Sequence, residues 1–229
     1  HLGAVKIAEF SPDGKLLITG GRDKSAKLWE VSTGREIRTF LGHEGTVRAG
    51  KFTPDGKFIA TGSTDKTVKL WDITTGELMR TFEMTDRVTD IDFTSDGKYI
   101  VIGGYDWNAK IFETETGTFI REFKVSPNKG TGSGIGIEIS KDDQNILVSE
   151  DNRKFIIVDF EKGEKIKTVK LVEKGSCGGC GTYAKYAPNE NFVIAGTRKG
   201  PLVLWDLKSD KKAKTYISEQ EEVTSVDIS

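Results

Sequence analysis

One spacing recurs along this chain with little drift. A pre-turn apolar residue and a second apolar residue just before an acid lie 19 residues apart five times: Phe10 and Trp29, Phe52 and Trp71, Phe93 and Phe112, Ile139 and Val158, Tyr186 and Trp205. The turn after the first member also repeats. It reads Ser11-Pro12-Asp13-Gly14, Thr53-Pro54-Asp55-Gly56 and Thr94-Ser95-Asp96-Gly97, then more loosely Ser140-Lys141-Asp142-Asp143 and Ala187-Pro188-Asn189-Glu190. The second members follow one another at 42, 41, 46 and 47 residues. A period of that size marks a supersecondary unit that cannot bury its own faces and must stack on copies of itself.

Within a unit the pattern is that of short strands. In the second repeat, Thr46–Phe52, Lys57–Gly62, Thr67–Asp72 and Glu77–Phe82 are β-branched and aromatic, and Gly, Asp or Pro residues bound them. No segment sustains a 3.6-residue apolar period with caps, so essentially no helix is expected. Glycine is abundant at 26 residues while proline is scarce at 5, which suits many tight turns. Fanning four-stranded sheets about an axis buries both faces of each one. The expected fold is therefore an all-β propeller of four-stranded antiparallel blades. It comprises five repeats and the first strand of a sixth. The expected blades span 1–41, 42–82, 83–123, 124–171 and 172–217, with the partial one at 218–229.

Charge and cysteine content narrow the function classes. Thirty-four Lys and Arg face 35 Asp and Glu, a net charge of −1, so no overall basic excess draws in nucleic acid. No apolar run is long enough for a membrane-spanning helix, and no membrane insertion is expected. The opening His1-Leu2-Gly3-Ala4-Val5-Lys6 does not read as an export signal. Two cysteines make no disulfide framework, which points to an intracellular setting, cytoplasmic rather than nuclear.

The motifs Gly42-His43, Pro54-Asp55-Gly56, Thr61-Gly62-Ser63-x-Asp65 and Leu70-Trp71-Asp72, with a second copy in the first repeat, resemble the WD-repeat (WD40) β-propeller family across essentially the whole chain. The resemblance implies a buried hydrogen-bonded tetrad in a blade: His before the first strand, Ser or Thr in the second, Asp in the next turn and Trp in the third. His1, Thr19, Asp23 and Trp29 match it in the first repeat, and His43, Thr61, Asp65 and Trp71 in the second. His, Asp and Thr together also suggest a catalytic triad or a metal site, and the structural reading is preferred. Later repeats lose the group: Met84, Ile102, Asp106 and Phe112, then Val148, Asn152 and Val158, then Ala195, Lys199 and Trp205. Similar proteins close a seven-bladed ring by pairing strands from both termini. Neither end of this chain offers the complement, so it reads as a portion of a longer protein.

The resemblance also implies a non-enzymatic protein–protein interaction scaffold, a subunit of a multi-protein complex that binds proteins or peptides on one rim. The spacing into the fourth and fifth repeats is 16 and 17 residues (Phe123 to Ile139, Val169 to Tyr186), against 11 or 12 elsewhere. These longer connections share a rim with the turns between second and third strands. Candidate partner contacts on that rim are Tyr105, Trp107, Arg22, Arg48, Asp151, Arg153 and Arg198, with Trp107 read as an exposed anchor. Its alternative is packing over Ile102 and Phe112. Two other classes compete. One is a metal or redox module built on Cys177-Gly178-Gly179-Cys180, which lacks a second cysteine pair and a following helix. The other is an RNA-associated propeller using Lys208, Lys211, Lys212 and Lys214. Gly130–Gly136 is glycine-rich, but a strand follows it rather than a helix, so it is no phosphate cradle. No metal and no cofactor are expected.

Overall fold

The computed structural model describes residues 1–125, 134–150, 154–171, 182–197 and 202–217. Every regular element among them is a strand. The first sheet is β1 (Val5–Phe10), β2 (Leu16–Gly21), β3 (Ala26–Glu30) and β4 (Glu36–Phe40). The second is β5 (Val47–Phe52), β6 (Phe58–Ser63), β7 (Thr67–Asp72) and β8 (Leu78–Glu83). The third is β9 (Val88–Phe93), β10 (Tyr99–Gly104), β11 (Asn108–Glu113) and β12 (Phe119–Lys124). The fourth is β13 (Gly136–Ile139), β14 (Asn145–Glu150), β15 (Lys154–Asp159) and β16 (Lys165–Lys170). The fifth is β17 (Thr182–Tyr186), β18 (Phe192–Thr197), β19 (Leu202–Asp206) and β20 (Lys211–Ile217). In all five sheets the strands are hydrogen-bonded in sequence order. The strands of the second repeat fall within a residue of those read from the sequence. The chain divides into two compact units, His1–Arg121 and Glu122–Ser229, and the division falls inside β12.

Turn chemistry sets the strand spacing. Ser11, Thr53 and Thr94 each donate a side-chain hydrogen bond to the Asp two residues on, at 2.7, 2.6 and 2.7 Å. Gly14, Gly56 and Gly97 follow at φ +71, +68 and +72°, a conformation glycine adopts without a Cβ clash. Asp143 and Glu190 hold the same backbone at φ +57 and +53°, which explains why those turns looked degenerate in sequence yet still form.

In the first unit, β5 packs on β1 and β2, and β9 packs on β5 and β6, so each sheet's leading strand covers its predecessor. One apolar core, including Ile18, Leu28, Phe40, Val47, Ile59 and Trp71, lies between the first and second sheets. Another, including Leu70, Phe82, Val88, Ile91, Ile102 and Phe112, lies between the second and third. Close approach demands glycine here: a Cβ on Gly62 would stand 2.4 Å from Val88 Cγ1. Second strands are buried along nearly their whole length, whereas the fourth strands β8 and β12 are mostly exposed. Cations on the fourth strands also reach the next sheet. Arg38 donates to Thr74 O and Thr75 O at 2.7 and 2.9 Å, and Arg80 to Thr116 O at 2.7 Å.

The second unit repeats this scheme. Leu147, Phe155, Ile157, Val169, Tyr186 and Val193 belong to one buried core spanning the fourth and fifth sheets. Lys167 takes the Arg38 position and donates to Leu207 O at 3.3 Å.

Candidate functional site

The two complete tetrads are built alike. In the second sheet His43 precedes β5, Thr61 lies in β6, Asp65 in the following turn and Trp71 in β7. His43 Nδ1 is 2.8 Å from Asp65 Oδ2 and Nε2 is 2.9 Å from Thr61 Oγ1, which also accepts Trp71 Nε1–H at 2.8 Å. The neutral tautomer with Nδ1–H donates to Asp65 and accepts the Thr61 hydroxyl, which satisfies every group. Burial pushes the His43 pKa down, and the hydrogen bond to Asp65 only partly offsets it. Burial would raise Asp65, but hydrogen bonds from Thr67 and His43 outweigh it and hold the carboxyl at about 2. In the first sheet His1 bonds Asp23 and Thr19 at 2.9 and 2.8 Å, and Trp29 Nε1–H donates to Thr19 at 2.8 Å. Thr61 is fully buried with its oxygen held between two partners, so it is placed to tie strands and not to attack a substrate.

The later sheets show what replaces the group. Met84, Ile102 and Phe112 are buried, at 6, 0 and 7% exposure, so apolar contact stands where the imidazole, hydroxyl and indole would be. Asp106 persists because Thr85 Oγ1 and the Asn108 backbone N–H donate to it. Val148, Val158 and Ala195 are completely buried. Trp205, with Ala195 in place of the threonine, donates its Nε1–H to Asp210 at 3.2 Å instead. Asn152 and Lys199 lie outside the described residues.

Of the rim candidates, the structure joins Arg48 and Tyr105. Arg48 Nη1 donates to the Tyr105 hydroxyl at 2.6 Å, and its guanidinium carbon lies 5.4 Å from the ring centroid. Arg87, a residue the repeat pattern did not single out, flanks the same ring at 5.6 Å. Its backbone carbonyl accepts the Tyr105 N–H at 3.0 Å, which fixes the turn against the entry to β9. Neither guanidinium forms an ion pair among the described residues. Arg22 is exposed in the β2–β3 turn and does not join this group.

Of the two readings of Trp107, partner contact or packing, the structure takes packing. Trp107 is 2% exposed and sits at φ +64°, the backbone held by Lys24 and Lys66 at the equivalent turns. Burying an indole outweighs about 1 kcal/mol or more of left-handed strain, so the ring turns inward and offers a partner no surface. Asp151, Arg153, Arg198, Cys177 and Cys180 lie outside the described residues, as do 218–229 and most of both long connections. Lys208, Lys211, Lys212 and Lys214 are all exposed.

Sequence reasoning also passed over a row of charges. Lys51 Nζ lies 3.1 Å from Glu9 Oε1 and 3.5 Å from Asp92 Oδ1, linking the first strands of three successive sheets. Burial would push that ammonium down, but the Asp92 and Glu9 carboxylates reverse the effect and hold its pKa above the ordinary value. In the second unit Lys185 lies 3.9 Å from Glu138. The signal was present: the residue before each pre-turn apolar position reads Glu9, Lys51, Asp92, Glu138, Lys185.

Four-stranded antiparallel sheets, stacked through glycine contacts and tied by His–Thr–Asp–Trp groups, define a blade-repeat protein. The WD40 family (WD domain, G-beta repeat) matches residues 1–30, 34–72 and 76–113, so these three stretches are WD repeats. It is similar to WD repeat domain-containing protein 83 of Danio rerio, 51% identical over 41 residues. Nuclear distribution protein nudF of Aspergillus niger is 48% identical over 40 residues, and eukaryotic translation initiation factor 3 subunit I of Phaeosphaeria nodorum 45% over 40. These matches cover 17 to 18% of this chain and 9 to 13% of the relatives, so the chain aligns with only about a tenth of their length. No helix among the described residues is long and apolar enough to cross a membrane.

Proposed function

We propose that this chain is a non-enzymatic protein-interaction scaffold, a WD-repeat subunit of a multi-protein complex that takes a partner on the turn rim of its first unit. The observation that carries the reading is the Arg48–Tyr105–Arg87 stack. Two guanidinium groups held against one phenol ring, without a carboxylate between them, offer rigid aromatic area and preorganised donors. Those are the residue types that dominate interface hot spots. Arg22 is a separate exposed candidate in the first unit, and Asp151, Arg153 and Arg198 are candidates for the second unit by their repeat positions alone. The sealed Thr61 hydroxyl supports a non-catalytic role, and the two-cysteine composition supports a reducing, intracellular setting. One similar protein is by name a subunit of a translation initiation factor, which supports a place in an assembly.

The test is affinity purification with quantitative mass spectrometry of co-purifying proteins, comparing the chain with Tyr105→Ala and with the Arg48→Ala, Arg87→Ala double variant. Loss of the same proteins from both variants, with unchanged circular dichroism, is expected. Full recovery in both variants refutes this surface.

A further inference from the structure

A cleft of about 570 Å³ lies between the second and third sheets, at the end of the strands opposite Tyr105. Its existence follows from one replacement in the repeat. Ile73 and Thr114 are equivalent: each follows its third strand, and each backbone N–H donates to the residue after the Asp-Gly turn of its own sheet, Lys57 O at 3.0 Å and Lys98 O at 2.9 Å. Ile73, together with Leu16, packs onto the core shared by the first and second sheets. One sheet further on the isoleucine is Thr114, shorter and polar, and Phe58 and Leu70 are left lining open space. Thr114 is 7% exposed, and its buried Oγ1 has no hydrogen-bond partner among the described residues. A buried hydroxyl without a partner costs free energy, so this position asks for an occupant that supplies one.

The lining states what kind of occupant fits. Phe58, Leu70 and Met79 form an apolar floor, and Met79 is half exposed. Asp96, Glu113 and Glu115 form a lip, and none of them makes an ion pair among the described residues. Of the two cations present, Arg80 donates to Thr116 O, and Lys98 lies 5.0 Å from the Tyr99 ring centroid. Asp55 is paired with Lys57 at 3.4 Å, so three unpaired carboxylates face two cations, a local excess of one negative charge. The volume is within the usual range for a ligand site, and the pairing of apolar floor with acidic lip selects an apolar group next to a positive charge.

We propose that this cleft binds a short peptide segment of a protein partner in which a large apolar side chain is followed by Lys or Arg. The apolar side chain lies on Phe58 and Leu70, the cation faces Glu113 and Glu115, and a polar group of the peptide meets Thr114 Oγ1. The site is separate from the Tyr105 surface, and neither depends on the other.

The probe is the capped peptide acetyl-Gly-Phe-Lys-Arg-Gly-amide, titrated into the 15N-labelled chain. Saturable shifts of the Thr114, Glu113 and Met79 amides are expected. The version with Glu in place of Lys and Arg, and the version with Ala in place of Phe, should bind at least about tenfold more weakly. Thr114→Ile, which restores the side chain of the preceding sheet, should abolish the shifts while leaving the rest of the spectrum in place. Glu113→Gln with Glu115→Gln weakens binding without filling the cleft, and Tyr105→Ala leaves it unchanged. No saturable shift in the wild-type chain, equal binding of the acidic peptide, or undiminished binding by Thr114→Ile each overturns the proposal.

Discussion

Replacing Thr61 with Val probes the tetrad of the second sheet without opening a large cavity. The hydroxyl it removes accepts Trp71 Nε1–H at 2.8 Å and faces His43 Nε2 at 2.9 Å, at a position with no solvent exposure. Each orphaned buried partner costs about 1–3 kcal/mol, so with two orphaned the variant should lose about 2–6 kcal/mol. The third sheet supplies a control. There Met84, Ile102 and Phe112 stand in the same places, all buried, because exchanging every partner for an apolar group leaves nothing orphaned. The triple variant His43→Met, Thr61→Ile, Trp71→Phe should therefore cost less than the sum of its single variants, by about 1–3 kcal/mol. The Thr61→Val deficit should also shrink toward acid. A protonated His43 can donate to Asp65 and to Thr61 O, which lies 3.2 Å from Nε2. Urea unfolding followed by circular dichroism gives all of these values. A Thr61→Val loss under about 0.5 kcal/mol, or a strictly additive triple variant, refutes the reasoning.

Three other outcomes are expected. Asp65 is held at about 2 and His43 below 6.5, so the unfolded chain takes up those protons first. Melting temperature should then fall as pH drops below the histidine range and again between about 4 and about 2, where Asp65 accounts for roughly 1–2 kcal/mol after solvent screening; a flat profile contradicts this. Lys51→Met should cost about 2–3 kcal/mol by leaving Glu9 and Asp92 unpaired, and adding Asp92→Asn should recover part of it in the same urea assay. Gly62→Ala should lose about 1–3 kcal/mol because its Cβ meets Val88 Cγ1 at 2.4 Å; Val88→Ala in the same chain should show a favourable coupling, and plain additivity would deny the clash.

The blades were readable because their causes are local. Alternating apolar positions and Ser/Thr-x-Asp-Gly turns act over a few residues, so the strands of the second repeat fall where the spacing puts them. The tetrads were legible for a related reason: fixed offsets within one repeat bring His43, Thr61, Asp65 and Trp71 to one sheet. Contacts between sheets follow different rules. Arg48 and Tyr105 are 57 residues apart and meet only because β5 and β9 pack together, and Arg87 joins them with no trace in the repeat pattern. Trp107 looked like a surface anchor because a turn position implies exposure, whereas its burial depends on what stands around the turn. The Thr114 cleft has the same origin: one side chain too short for the gap between two sheets, a fact that no single repeat contains.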